Sequence, residues 1–141
     1  MLDFLCKYMT EHMTITPDKT HNGQEVTITE NARDGGSTTT ESIRVYKAEY
    51  GDEEGSVMLE VAFDKKKMEQ LDHGYPKLRS TRWEQNVSFS LGSGYGEIPV
   101  YKLTRDDGSG FLLFNVTDYS EDKACKLFDV MLYRFSHVIR K

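Results

Sequence analysis

The sequence predicts an α+β domain in which a mainly antiparallel sheet of about six strands is curled around, or packed on, a long C-terminal helix. The length of 141 residues fits one domain. Several segments between residues 24 and 117 alternate apolar and polar side chains, as half-buried strands do, and short connections join most of them. Residues 120–140 instead carry apolar side chains at helical spacing. We therefore expect a single domain over 1–141, with residues 1–23 as an N-terminal helix and loop.

The first element is a short amphipathic helix over residues 2–13. Its charged residues interrupt every apolar run, so the segment resembles neither a signal peptide nor a membrane span. We expect this helix to be loosely attached to the domain periphery, and to be dispensable if translation begins at Met9 or Met13. The apolar positions that recur near three and four residues are Leu2, Phe4, Leu5, Tyr8, Met9 and Met13.

The first strands lie between residues 25 and 63. Residues 25–30 alternate Val26 and Ile28 with polar side chains, which is typical of a half-buried strand. Residues 42–50 and 57–63 are rich in β-branched and aromatic side chains, and the intervening residues 51–55 include two glycines. This pattern predicts the first hairpin.

The second half of the predicted sheet follows a short helix. Residues 65–71 are good helix formers, and Gly74 and Pro76 end the helix. Residues 83–91 show the clearest apolar alternation in the chain. Strands over 98–105 and 111–117 then flank a glycine-rich connection and predict a second hairpin.

The last element is a helix over 120–140. Ser120 is the predicted N-cap, acidic residues follow it, and Arg140 and Lys141 lie at the C-terminal end, as the helix dipole favours. A wide apolar stripe along this helix must be covered by the sheet. The arrangement resembles helix-grip, pleckstrin-homology-like and secretion-chaperone-like architectures, and a shared architecture does not define a function.

The charge distribution favours a basic partner. The formal net charge is -5, which works against wrapping nucleic acid or lying on an anionic membrane. Acidity is densest between residues 49 and 60, where no Lys or Arg occurs. Such a block steers basic partners, although a solvated hairpin tip has the same composition. The candidate contact residues there are Glu49, Asp52, Glu53 and Glu54.

The glycine-rich segment 92–96 supplies the second set of candidate contacts. Its spacing is GxGxG and it does not open a helix, so it matches neither a kinase loop nor a dinucleotide fingerprint. A flexible connection between strands explains it, and the alternative is a loop that closes over a ligand. The candidate residues are Gly92, Gly94, Gly96 and Tyr95, whose side chain we expect to be exposed.

No catalytic or metal-binding motif is evident. Cys6 and Cys125 form no CxxC pair, and the four histidines lack ligand spacing, so we predict no metal, cofactor or catalytic residue. An enzyme remains an alternative, with His73, Glu84 and Cys125 as its first candidates. The main basic cluster comprises Lys65, Lys66, Lys67, Lys77, Arg79 and Arg82, and we do not expect it to bind nucleic acid directly.

These observations lead to two functional hypotheses. The first is a small cytoplasmic protein that binds another protein or a ribonucleoprotein and blocks or escorts it, as immunity proteins, chaperones and anti-CRISPR-type phage inhibitors do. The second is a small-molecule-binding fold with an apolar pocket under the loop 92–96. An unpaired sheet edge could also pair with the same edge of a second copy, so a symmetric homodimer is an alternative.

Overall fold

The computed structural model describes residues 1–31, 38–74, 84–92 and 94–135. Within these residues it has three helices and seven strands. The elements, in chain order, are α1 (Leu2–His12), β1 (Asp18–Thr20), β2 (Gly23–Asn31), β3 (Thr38–Lys47), β4 (Val57–Phe63), α2 (Lys65–Gly74), β5 (Glu84–Ser90), β6 (Glu97–Thr104), β7 (Gly110–Asn115) and α3 (Glu121–Phe135).

The strands form one antiparallel sheet in the order β1-β2-β3-β4-β7-β6-β5. Both predicted hairpins, β3–β4 and β6–β7, are present. The central contact joins the two hairpins, because β4 pairs with β7 and places Val61 opposite Leu112. The predicted α+β class with an antiparallel sheet is therefore confirmed.

The core lies on one face of this sheet. Directly paired residues share a face, so Val26, Ile43, Val61 and Leu112 form one apolar row across four strands. All four are buried and belong to one apolar cluster with residues of the helices. The helical members of that cluster are Leu5 and Met9 from α1, Met68 from α2, and Ala124, Leu127, Phe128 and Met131 from α3.

Helix α1 is integral to the core, which corrects the expectation of a loosely attached N-terminal helix. Met9 is 0% exposed. The Tyr8 hydroxyl donates a 2.9 Å hydrogen bond to Asp129 Oδ1 on α3, and its ring meets Phe128 edge-on at 5.6 Å between centroids. Sequence periodicity predicted the helix correctly, but it carried no information about the α3 surface that covers it.

Helix α3 begins as predicted. The Lys123 amide donates a 3.1 Å hydrogen bond to Ser120 Oγ, so Ser120 is the N-cap. The described helix ends at Phe135, so the long helix predicted over 120–140 is not confirmed. Arg140 and Lys141 lie outside the described residues.

Two further predictions differ in detail. The sheet has a seventh strand, β1, which the sequence analysis missed. The strand predicted over 83–91 is described as β5 from Glu84 to Ser90, and residue 83 lies outside the described residues. None of the described helices combines the length and apolar character that crossing a membrane requires.

Candidate functional site

The sheet order brings both predicted contact segments to one end of the molecule. The loop 48–56 joins the end of β3 to the start of β4, and the segment 91–96 leads into the start of β6. Because β4 pairs with β7, the end of β7 and the start of α3 reach the same end of the sheet. Segments more than 30 residues apart in sequence are therefore neighbours there.

The loop 48–56, which we call the acidic loop, has a defined backbone. Gly51 and Gly55 adopt positive φ angles of 84° and 86°, which favour glycine. The Gly55 amide donates to the Ala48 carbonyl oxygen at 2.8 Å, and the Ala48 amide donates to the Ser56 oxygen at 2.9 Å. These bonds continue the hairpin ladder into the loop and order its backbone.

The four candidate carboxylates of this loop have different environments. Glu53 Oε2 accepts a 2.7 Å hydrogen bond from the Asn115 side chain at the end of β7. Glu49 lies 2.6 Å from His21 Nε2 in the β1–β2 turn. Asp52 and Glu54 are exposed. The loop is thus anchored by Glu49 and Glu53, while Asp52 and Glu54 face solvent.

The glycine-rich segment is anchored to α3. The Gly96 amide donates to the Gly92 oxygen at 3.3 Å, and Gly92, Gly94 and Gly96 all have positive φ angles. The Tyr95 hydroxyl donates a 2.7 Å hydrogen bond to Asp122 Oδ2, which raises the pKa of Tyr95. Tyr95 is half-buried, which corrects the expectation of an exposed side chain, because it packs against the core cluster.

The two anchored segments lie at the same end of the sheet, which we call the acidic end. The segments 47–56, 94–97 and 118–126 together contain eight carboxylates and three lysines. Seven of the eight carboxylate side chains are exposed, and Glu53 is half-buried. The carboxylates are those of Glu49, Asp52, Glu53, Glu54, Glu97, Asp118, Glu121 and Asp122.

Two cavities flank the acidic loop. A groove of about 820 Å³ separates the loop from α1 and the β1–β2 turn, and Cys6, Lys19 and Glu54 are among its lining residues. A smaller pocket of about 340 Å³ lies against the outer face of the sheet, opposite the helices. Neither cavity is lined by residues of the segment 92–96, so the ligand pocket expected under that loop stays a prediction.

Sequence reasoning missed the aromatic side chains of the smaller pocket. Tyr50 is 82% exposed within the acidic loop, and Tyr46 lies on the outer face of β3. A large aromatic residue within an acidic hairpin tip was the signal that could have identified Tyr50, since tyrosine is enriched among residues that dominate binding energy. The sequence alone did not show which other residues line its pocket.

A charged cluster borders this pocket. The Arg44 guanidinium carbon lies 3.9 Å from the centroid of the Tyr46 ring, and Arg44 Nη2 lies 3.5 Å from Glu60 Oε2. Burial raises the pKa of Glu60, and the nearby Arg44 only partly opposes that shift. Burial and the Glu60 carboxylate likewise raise the pKa of Tyr46. Arg44 is therefore already engaged by both an aromatic ring and a carboxylate.

Neither cysteine has the environment of an activated nucleophile. Burial raises the pKa of both thiols, with Asp3 adding to the shift at Cys6 and Asp129 at Cys125, so both favour the protonated, weakly nucleophilic form. His73 lies in α2 and Glu84 begins β5. No group of three or more potential metal ligands occurs in the described ranges. Lys77, Arg79 and Arg82 lie outside the described residues.

No protein-family model matches this chain, and no curated protein or solved structure matches it either.

Proposed function

We propose that this protein acts by binding another macromolecule through the acidic end and thereby blocking or escorting it. The partner presents a basic surface and is a protein or a ribonucleoprotein. The observation that supports this proposal is the convergence of two distant segments at one end of the sheet. Glu53 joins the acidic loop to Asn115, and Asp122 joins the start of α3 to Tyr95.

Electrostatics supports a basic partner. Clustered charges of one sign raise the rate at which an oppositely charged partner associates, and salt screens this effect. Two kinds of partner contact are available at the acidic end. Asp52 and Glu54 offer exposed charge, and Tyr50 offers an exposed ring.

The defined loop backbone also favours binding. Ordering a flexible loop during association opposes affinity, whereas a loop that is already ordered avoids much of that loss. The hydrogen bonds of Ala48 and Gly55 order the acidic loop, and those of Leu91 and Gly96 order the segment beside Tyr95. Immunity proteins, chaperones and anti-CRISPR-type inhibitors all act by such macromolecular binding, and the identity of the partner will distinguish them.

The decisive experiment reverses exposed charge at the acidic end without removing its anchors. The test variant is Asp52→Lys/Glu54→Lys, because neither side chain anchors the loop. The matched control is Glu69→Lys/Asp106→Lys, which has the same change in net charge. Asp106 follows β6 and Glu69 lies in α2, so both lie at the opposite end of the sheet and both are exposed.

Each tagged protein is used to capture partners from a lysate of the native host at low and high salt, and association with the captured partner is then timed. We expect the wild type and the control to retain the same stoichiometric partner. The test variant should associate roughly tenfold more slowly at low salt, and its rate should depend less on salt. Equal rates for the test variant and the control, or no retained partner at either salt, would contradict the proposal.

A further inference from the structure

We propose that the pocket of about 340 Å³ beside the acidic loop binds the side chain of an arginine residue presented by a protein partner. This inference rests on the proposed function and assigns a specific contact within it. The pocket lies where the acidic loop meets the outer face of the sheet. Its lining combines two aromatic rings, Tyr46 and Tyr50, with two carboxylates, Glu49 and Glu53.

The size and lining of the pocket fit one long side chain with a cationic head. A volume of about 340 Å³ is near the lower limit for small-molecule sites, which span roughly 300–1,000 Å³. Leu113 is half-buried and contributes apolar surface, which suits the methylene stem of an arginine. The two carboxylates and the exposed ring of Tyr50 suit its guanidinium head.

The charges around the pocket leave it negative. Arg44 also lines it, but its guanidinium is 3.5 Å from Glu60, which offsets its charge. Glu49 lies beside His21, and Glu53 accepts a hydrogen bond from the neutral amide of Asn115. The lining therefore holds two carboxylates, Glu49 and Glu53, against one guanidinium, that of Arg44, which itself contacts Glu60.

Arg44 shows that this surface already accommodates a guanidinium. It lies over the Tyr46 ring at 3.9 Å while it contacts a carboxylate. Tyr50 is 82% exposed and lines the same pocket, so it is available to stack on a second guanidinium. A planar guanidinium stacks on an aromatic ring and can bond a carboxylate through two N–H groups, which the compact ammonium of lysine cannot do.

The test uses three short capped peptides, Gly-Gly-Arg-Gly-Gly and its lysine and citrulline counterparts. Citrulline retains the shape of arginine but carries no charge. Each peptide is titrated into the ¹⁵N-labelled full chain and followed by NMR. We expect saturable shifts of the Tyr46, Tyr50 and Glu53 amides with arginine, weaker binding of lysine, and binding by citrulline that is at least about fivefold weaker than that of arginine.

Two pairs of neutral substitutions then locate the site. Glu49→Gln/Glu53→Gln removes the pocket charges but retains side-chain oxygens for His21 and Asn115. Asp52→Asn/Glu54→Gln makes the same change in net charge within the same loop, at residues that do not line the pocket. We expect the first variant to weaken arginine binding roughly fivefold and the second to have little effect. Tyr50→Ala should weaken binding about two- to fivefold.

Equal binding of arginine and citrulline, or equal weakening by the two pairs of substitutions, would overturn the pocket assignment. Either result leaves the broader proposal open to its own test, because that test depends on Asp52 and Glu54. Conversely, if Asp52→Lys/Glu54→Lys does not slow association with the captured partner, the role of the acidic end fails even if the pocket binds arginine.

Discussion

The substitution Met9→Ala tests whether α1 is a structural part of this domain. Met9 is 0% exposed and lies in the same apolar cluster as Phe128 of α3. Truncating a fully buried methionine removes apolar contacts and leaves a cavity, which destabilises proteins by roughly 2–5 kcal/mol. Domains of this size unfold at a free energy of about 5–15 kcal/mol, so the variant should fold with a clearly reduced urea midpoint.

Lys7→Ala provides the matched control on the same helix. The Lys7 side chain is 78% exposed and lies 3.8 Å from Glu11, one helical turn away. Such exposed pairs contribute about 0.3–0.5 kcal/mol, so the control should unfold nearly as the wild type does. If urea titration shows that Met9→Ala loses no more stability than Lys7→Ala, the packing of α1 between the sheet and α3 is refuted.

Two further predictions concern protonation. Asp122→Asn should lower the pKa of Tyr95, because the carboxylate that accepts the tyrosine hydrogen bond is lost. A ¹³C NMR titration of the tyrosine ring measures this pKa, and an unchanged value would refute the contact. Burial raises the pKa of Glu60, so the protonated form of Glu60 favours the folded state. This contribution to the free energy of unfolding is lost as the pH rises through the raised pKa. Glutamine stays neutral at every pH, so the stability of Glu60→Gln relative to the wild type should rise as the pH is raised from about 3 to about 8 in urea titrations. A fall in relative stability over that range would show that the Arg44 contact dominates.

Local patterns predicted most elements of this fold, but they did not predict how the elements meet. Alternating side chains predicted the β3–β4 and β6–β7 hairpins. Strand β1 was missed because Asp18, Lys19 and Thr20 include no apolar residue, and the strand forms by pairing with Gly23–Glu25 of β2. The β4–β7 pairing joins strands about 50 residues apart, so neither turn chemistry nor periodicity could predict it.

For the candidate site, too, the sequence predicted continuous segments but not the contacts between distant residues. Composition identified the acidic loop and the glycine-rich segment separately, because each is continuous in sequence. Each is held by a long-range contact, Glu53–Asn115 for the loop and Tyr95–Asp122 for the glycine-rich segment, with partners 62 and 27 residues apart. The pocket was not predicted because the β1–β2 turn and strand β7, which are distant in sequence, complete the lining that residues 44–53 begin.

The proposed function assigns the charges of the acidic end to recognition rather than to folding. Carboxylates of one sign at close quarters repel one another, and exposed charges add little to stability even when paired. Glu53 and Asp122 each accept a hydrogen bond, which needs only an acceptor oxygen that glutamine or asparagine would also supply. A neutral loop could therefore keep the contacts of Glu53 and Asp122 without the repulsion. The proposed attraction of a basic partner would account for the charge itself. Substitutions that preserve hydrogen bonding but remove charge would then separate binding from stability at this site.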